Sequence, residues 1–229
     1  VYLLIDFYWV AFDILYPEDR MPFAANEIGE CALFLSLASS IKASAASMSG
    51  MTEQGDDEQN TGAPALWERL GVLLFTAANT GLWIAWSGEW VQDIVTCIVW
   101  GYFLFHLTGH MKKTKALSPT VWRILALVCV LVIAANIATF FVPENFKSMS
   151  DLAAYSLMLA VDLFFIIKTF VSLYSKKDIK VPVSLSFACY GWSVFFLYMS
   201  AGAFYNLANL LCSASCLLMY VSIRREAVS

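Results

Sequence analysis

Seven stretches of this chain come close to the roughly 20 apolar residues that cross a hydrocarbon core, and a chain so built has few ways to fold in water. They run over residues 25–46, 65–86, 91–111, 118–142, 151–175, 183–200 and 204–223. The segments between them are short, and none is long enough for a soluble domain. Composition agrees: 60% of the residues are hydrophobic and 14% are charged, against about 25% charged in average globular chains. The expected fold class is therefore an all-α, multi-pass integral membrane protein with seven transmembrane helices.

The basic residues between the runs alternate. Lys112, Lys113, Lys115 and Arg123 crowd the third connection, Lys176, Lys177 and Lys180 follow the fifth run, and Arg224 and Arg225 follow the seventh. Segments 87–90 and 201–203 carry no Lys or Arg, and 143–150 carries only Lys147. Because basic loops stay cytoplasmic, this pattern predicts an N-terminus outside and a C-terminus in the cytoplasm. Residues 1–24 read as an aromatic N-terminal segment, either an interfacial helix with Tyr8 and Trp9 at headgroup level or the end of an extra span; Asp6 and Asp13 interrupt it, and a signal peptide fits poorly.

The runs group as 3+1+3. Residues 25–111 make a first three-helix unit with a polar acidic loop over 47–62 that contains Glu53, Asp56, Asp57 and Glu58. Residues 118–142 read as a connector helix with Asn136 as its interior polar residue, 151–223 as a second three-helix unit, and 224–229 as a basic cytoplasmic tail. Phe75, Trp83 and Trp86 fall in register with Phe187, Phe195 and Tyr198 at a constant offset, as in the parallel repeats of some transporters.

The last quarter of the chain carries a lysine-rich loop with Lys176, then Pro182, Leu185-Ser186, Trp192, Tyr198, Asn209 and Tyr220 in that order. This order resembles the second three-helix unit of the SWEET sugar transporters and their PQ-loop relatives, and Phe34-Leu35-Ser36 resembles the family's first-helix motif. The resemblance implies a 3+1+3 carrier with an outside N-terminus, moving a small polar solute by alternating access. The chain departs from the family in lacking a Pro-Gln dipeptide in either half, in having no proline after Ser36, and in carrying Thr96 or Cys97 where the family has a third-helix asparagine.

Asp162 stands out on physical grounds, because it lies mid-run among Leu, Val and Phe. An ionisable group at bilayer depth costs about 2.5–3.5 kcal/mol on insertion scales and is by default a candidate for function, here proton or ion coupling. Its structural alternative is a hydrogen-bond partner for a neighbouring helix. Asn79, Asn206 and Asn209 with Trp192 form the expected substrate-binding set, amides to orient a polar solute and an indole to stack on it; as interhelical hydrogen-bond glue they would be structural. Lys168 reads as a snorkelling side chain, and no lysine lies in the seventh run to hold retinal.

His106 and His110, four apart, are the only histidines; that spacing can chelate a metal on a helix, but they read as an interfacial or hydrogen-bonded pair, and no metal is expected. Six cysteines lie in apolar runs and read as small hydrophobes. Glu27, Glu30 and Asp93 open helices, where acids complement the dipole. No phosphate loop, hydrolase motif or nucleic-acid footprint occurs, so no enzyme, no cofactor and no nucleic-acid partner are expected. The expected partners are the bilayer, a small polar solute, and further copies of the chain or other membrane subunits. The competing reading is a non-transporting integral subunit or seven-helix sensor that docks partner proteins.

Overall fold

The computed structural model describes residues 7, 11, 14, 15, 23–50, 66–87, 90–175 and 180–228, excepting the side chains of 23–28, 44–50, 86, 87 and 92. Asp6, Tyr8, Trp9, Asp13, the four acids of the 47–62 loop, Lys176 and Lys177, together with the side chains of Glu27 and Trp86, lie outside the described residues. Among those described, the chain is all-helical. The helices are α1 (Phe23–Gly50), α2 (Leu66–Ser87), α3 (Trp90–Lys113), α4 (Pro119–Phe141), α5 (Glu144–Tyr174), α6 (Lys180–Met199) and α7 (Ala203–Val228). Five of them, α3 to α7, are long and apolar enough to cross a membrane; α1 and α2 are 28 and 22 residues long.

Helix ends follow local chemistry. Ser118 caps α4 by accepting from the Val121 amide, and Pro119 occupies the first turn, where a missing N–H costs nothing. Pro143 stands at the N-cap of α5, so that helix begins seven residues before the apolar run that announces it. Its first turn is held by the Glu144–Lys147 ion pair, which is polar and therefore invisible to hydropathy. α6 and α7 are joined through Gly202 at φ 59°, a conformation that only glycine adopts freely.

The chain forms two compact units, residues 1–108 and 109–229. In the first, α2 and α3 run antiparallel: Thr80 meets Cys97, Thr76 meets Gly101 and Arg69 meets Phe105. Trp100 packs between Phe75 and Trp83 at ring separations of 5.7 and 6.4 Å, and Phe34 of α1 packs on Phe103 at 6.1 Å. A Cβ added at Gly101 would stand 2.7 Å from Thr76 Cγ2, so this crossing is close because the glycine permits it.

In the second unit α6 is the core element. It packs against both α5 and α7, which also meet each other, while α4 packs on α5. Nearly all of α6 is buried, from Pro182 to Phe196 and again at Met199. The buried positions of α5 are Ala154, Tyr155, Met158, Val161, Asp162, Phe165, Thr169 and Leu173, the i, i+3, i+4 stripe of a helix with one packed face. Opposite them Leu163, Ile167, Phe170 and Val171 are exposed, as side chains facing lipid tails would be. On α4 only Val132 and Asn136 are buried, which suits a connector. Thr139 donates to Asp151 at 3.2 Å and Ser150 to the Ala135 carbonyl at 3.1 Å, tying the end of α4 to α5.

Candidate functional site

The buried stripe of α5 is apolar except at two positions, Asp162 and Thr169. Thr169 satisfies its hydroxyl within the helix, on the Phe165 carbonyl. Asp162 cannot do this, because a carboxylate only accepts. It is fully buried and accepts a hydrogen bond at Oδ1 from Ser193 Oγ of α6 at 2.6 Å. Its other oxygen, Oδ2, is buried with no hydrogen-bond partner.

Neighbouring contacts fix this geometry. Trp192, next to Ser193, donates its indole N–H to the Met158 carbonyl at 2.9 Å, one turn before Asp162. Two successive residues of α6 thus grip α5 across one turn. Trp192 is braced by Phe195 at 5.2 Å, and Cys189 sets its thiol beside Ser193, within reach of the Asp162 charge. Ser193 is small and fully buried at this interface. Small residues let helices approach closely in a membrane.

Of the residues expected to bind solute, the structure brings Trp192 and Asp162 to one turn of the α5–α6 interface. The Trp192 N–H is engaged by protein, and its ring is buried against Phe195. Asn206 and Asn209 lie at exposed positions of α7, on the side away from its buried Ala208, Leu211, Cys212 and Ser215. Asn79 belongs to the first unit and is fully buried there. Its Nδ2 donates to the Phe75 carbonyl at 2.8 Å, and its Oδ1 has no hydrogen-bond partner. Among the described residues, Asn79 Oδ1 in the first unit and Asp162 Oδ2 in the second are thus buried acceptor oxygens with no hydrogen-bond partner. Such an oxygen accepts a proton carried by a hydroxyl or ammonium group, or, for the carboxyl, binds a proton outright.

The histidines part company. His106, half-buried in the first unit, stacks edge-on with Tyr102 at 4.5 Å. His110, in the second, is buried with both ring nitrogens unpartnered. Among the described residues no three His, Cys, Asp or Glu side chains gather where they would hold a metal. Lys168 is exposed on α5.

Ser193 was not among the residues singled out from the sequence, although it completes the Asp162 site. The sequence shows three serines in α6, Ser184, Ser186 and Ser193, but not which of them meets α5. Compared with known protein families, curated proteins and solved structures, the chain matches none.

Proposed function

We propose that the chain is a seven-span membrane carrier with a 3+1+3 arrangement, similar to the SWEET and PQ-loop transporters, that moves a small polar solute by alternating access. The observation that carries this reading is Asp162 Oδ2, a carboxylate oxygen fully buried on a helix apolar enough to span, with no partner. An unsatisfied buried charge or dipole is costly, and a carrier gives it a use: the oxygen is satisfied when solute or a proton arrives.

The remaining spans follow from length. α1 and α2 exceed the roughly 20 residues needed, and no charged residue occurs in α2 after Arg69. With α1 and α2 added, the charge alternation gives an outside N-terminus. In the second unit Trp192, Asn206 and Asn209 are the solute-binding candidates, and in the first unit Asn79 is. Asp162 is the coupling residue, loading and releasing a proton as the solute moves.

The test is uptake into proteoliposomes containing the purified full-length chain, with sugars, amino acids and vitamins screened as solutes and a pH-sensitive dye inside. Solute-dependent proton entry that disappears in Asp162→Asn supports coupled carriage. Solute uptake unchanged by that variant removes Asp162 from the mechanism. Failure of every solute to move or to stabilise the protein returns the weight to the non-transporting subunit or sensor.

A further inference from the structure

Several serines of the described helices satisfy themselves locally. Ser36, Ser40, Ser184 and Ser213 each donate to the carbonyl four residues back in their own helix, a bond that helical serine makes readily. Ser193 of α6, equally helical, does not. Its hydroxyl crosses to α5 and donates to Asp162 Oδ1 at 2.6 Å, and both residues are fully buried. The crossing is held in register by the Trp192 indole on the Met158 carbonyl, one turn away along α5. One oxygen of the carboxyl is thereby anchored, while the other, Oδ2, has no hydrogen-bond partner.

We propose that Ser193 is a positioning residue for proton exchange: its hydroxyl holds Asp162 Oδ1, makes Oδ2 the atom that takes the proton, and sets the pH at which it does so. A serine hydroxyl can donate to Oδ1 whether the carboxyl is charged or neutral, but the bond to the charged form is the stronger one. How tightly the proton is held therefore depends on how good a donor stands at position 193. Because Oδ2 has no partner, the proton it binds displaces no existing bond. That proton comes from water on one side of the membrane and returns to water on the other, and no further reactant is consumed.

The surroundings leave this role to Ser193. From α6 the Cys189 thiol lies beside Ser193, and from α7 Cys216 stands near Cys189. Among the described residues no cation faces the carboxyl. On α5 itself Lys168 is exposed, and Asp151 is tied to Thr139 of α4. The buried residues of α4, Val132 and Asn136, do not titrate. Thr169, the other polar position of the buried stripe, is satisfied on the Phe165 carbonyl. The inference rests on the carrier reading only in taking Asp162 as the group that exchanges a proton.

Infrared spectroscopy of the purified full-length protein, titrated with pH, tests it without transport. The carboxylic-acid C=O band that Asp162→Asn removes reports the proton on Asp162. In Ser193→Ala that band should persist to a proton concentration about tenfold lower than in wild type, the loss of one hydrogen bond to a charged group. Ser193→Thr keeps the hydroxyl and should restore the wild-type midpoint. Ser193→Cys, a weaker donor of similar size, should fall between, and it carries the comparison if Ser193→Ala does not fold. A midpoint unmoved by loss of the hydroxyl, or moved as far in Ser193→Thr, overturns the proposal, because packing alone would then account for the contact. Absence of any titrating Asp162 band overturns it too, and removes proton coupling while leaving solute carriage to the uptake assay. A shifted midpoint in a protein that moves no solute keeps Ser193 in this role and retires the carrier, so the two failures are separable.

Discussion

Ser193 Oγ of α6 stands 2.6 Å from Oδ1 of Asp162 on α5, and among the described residues it donates the only side-chain hydrogen bond that holds this fully buried carboxyl. Removing the donor strands the acceptor, and leaving a buried polar group unsatisfied costs about 1–3 kcal/mol. Ser193→Ala should therefore lower the thermal stability of the detergent-purified protein by that amount. Asp162→Asn should cost less, because the amide oxygen still accepts from Ser193. A double-mutant cycle checks the assignment: Ser193→Ala must cost clearly less in an Asp162→Leu background than alone, and equal costs would show that the two side chains do not couple.

If Asp162 carries the proton, the pH response of transport belongs to it. Wild-type uptake should rise when the outside is acidified relative to the inside and collapse when a protonophore dissipates the gradient. In Asp162→Asn the rate should be the same with and without the gradient. A gradient response retained by the variant would assign coupling to another group.

Gly101 permits the closest approach of α2 to α3, with Thr76 side-chain atoms 2.7 and 2.8 Å from where a Cβ would sit. Threonine is stiff at its first side-chain torsion, so it yields poorly. Gly101→Ala should cost about 1–3 kcal/mol by overpacking, and Thr76→Ala in the same chain should restore most of the loss. Melting temperatures of the two single variants and the double decide it; no rescue would place the strain elsewhere.

Among the described residues two backbone positions adopt positive φ, Gly202 at 59° and Lys115 at 49°. Left-handed geometry costs a residue with a Cβ about 1 kcal/mol or more. Gly202→Ala should destabilise by roughly that amount, since nothing lies within 4 Å of the added methyl to compensate or to clash. Lys115→Gly should be neutral to slightly stabilising, the relief being offset by a more flexible unfolded chain. Opposite signs in thermal melts are the expected result.

The open face of α7 separates carrier from subunit. In the carrier, Asn209→Cys should react with a membrane-impermeant polar thiol reagent, whereas Leu127→Cys on the apolar exposed side of α4 should not. Full protection of both positions would favour a lipid-packed or partner-packed α7 and the non-transporting reading.

Much of the fold was legible because burying a helix in lipid leaves a long, simple mark. Each apolar run falls on a helix, and the α3 and α4 boundaries agree to within two residues. α5 and α7 are longer than their runs because Glu144, Lys147, Arg224 and Arg225 continue the helix in polar residues. The site was legible only in part. Asp162 announces itself by charge in an apolar run, but Ser193 does not, since its role depends on which face of α6 meets α5.

The buried hydroxyls at the centre of the second unit have a mechanical consequence. Ser186 bonds to the Val183 carbonyl and Ser215 to the Cys212 carbonyl, each within its own helix. Neither hydroxyl acts as a ratchet tooth between α6 and α7, so sliding one helix along the other breaks neither bond. Across α5, by contrast, Trp192 and Ser193 act as two adjacent rivets. The seam between α5 and α6 is thus held by two side-chain bonds on adjacent residues, and parting the two helices would break both together.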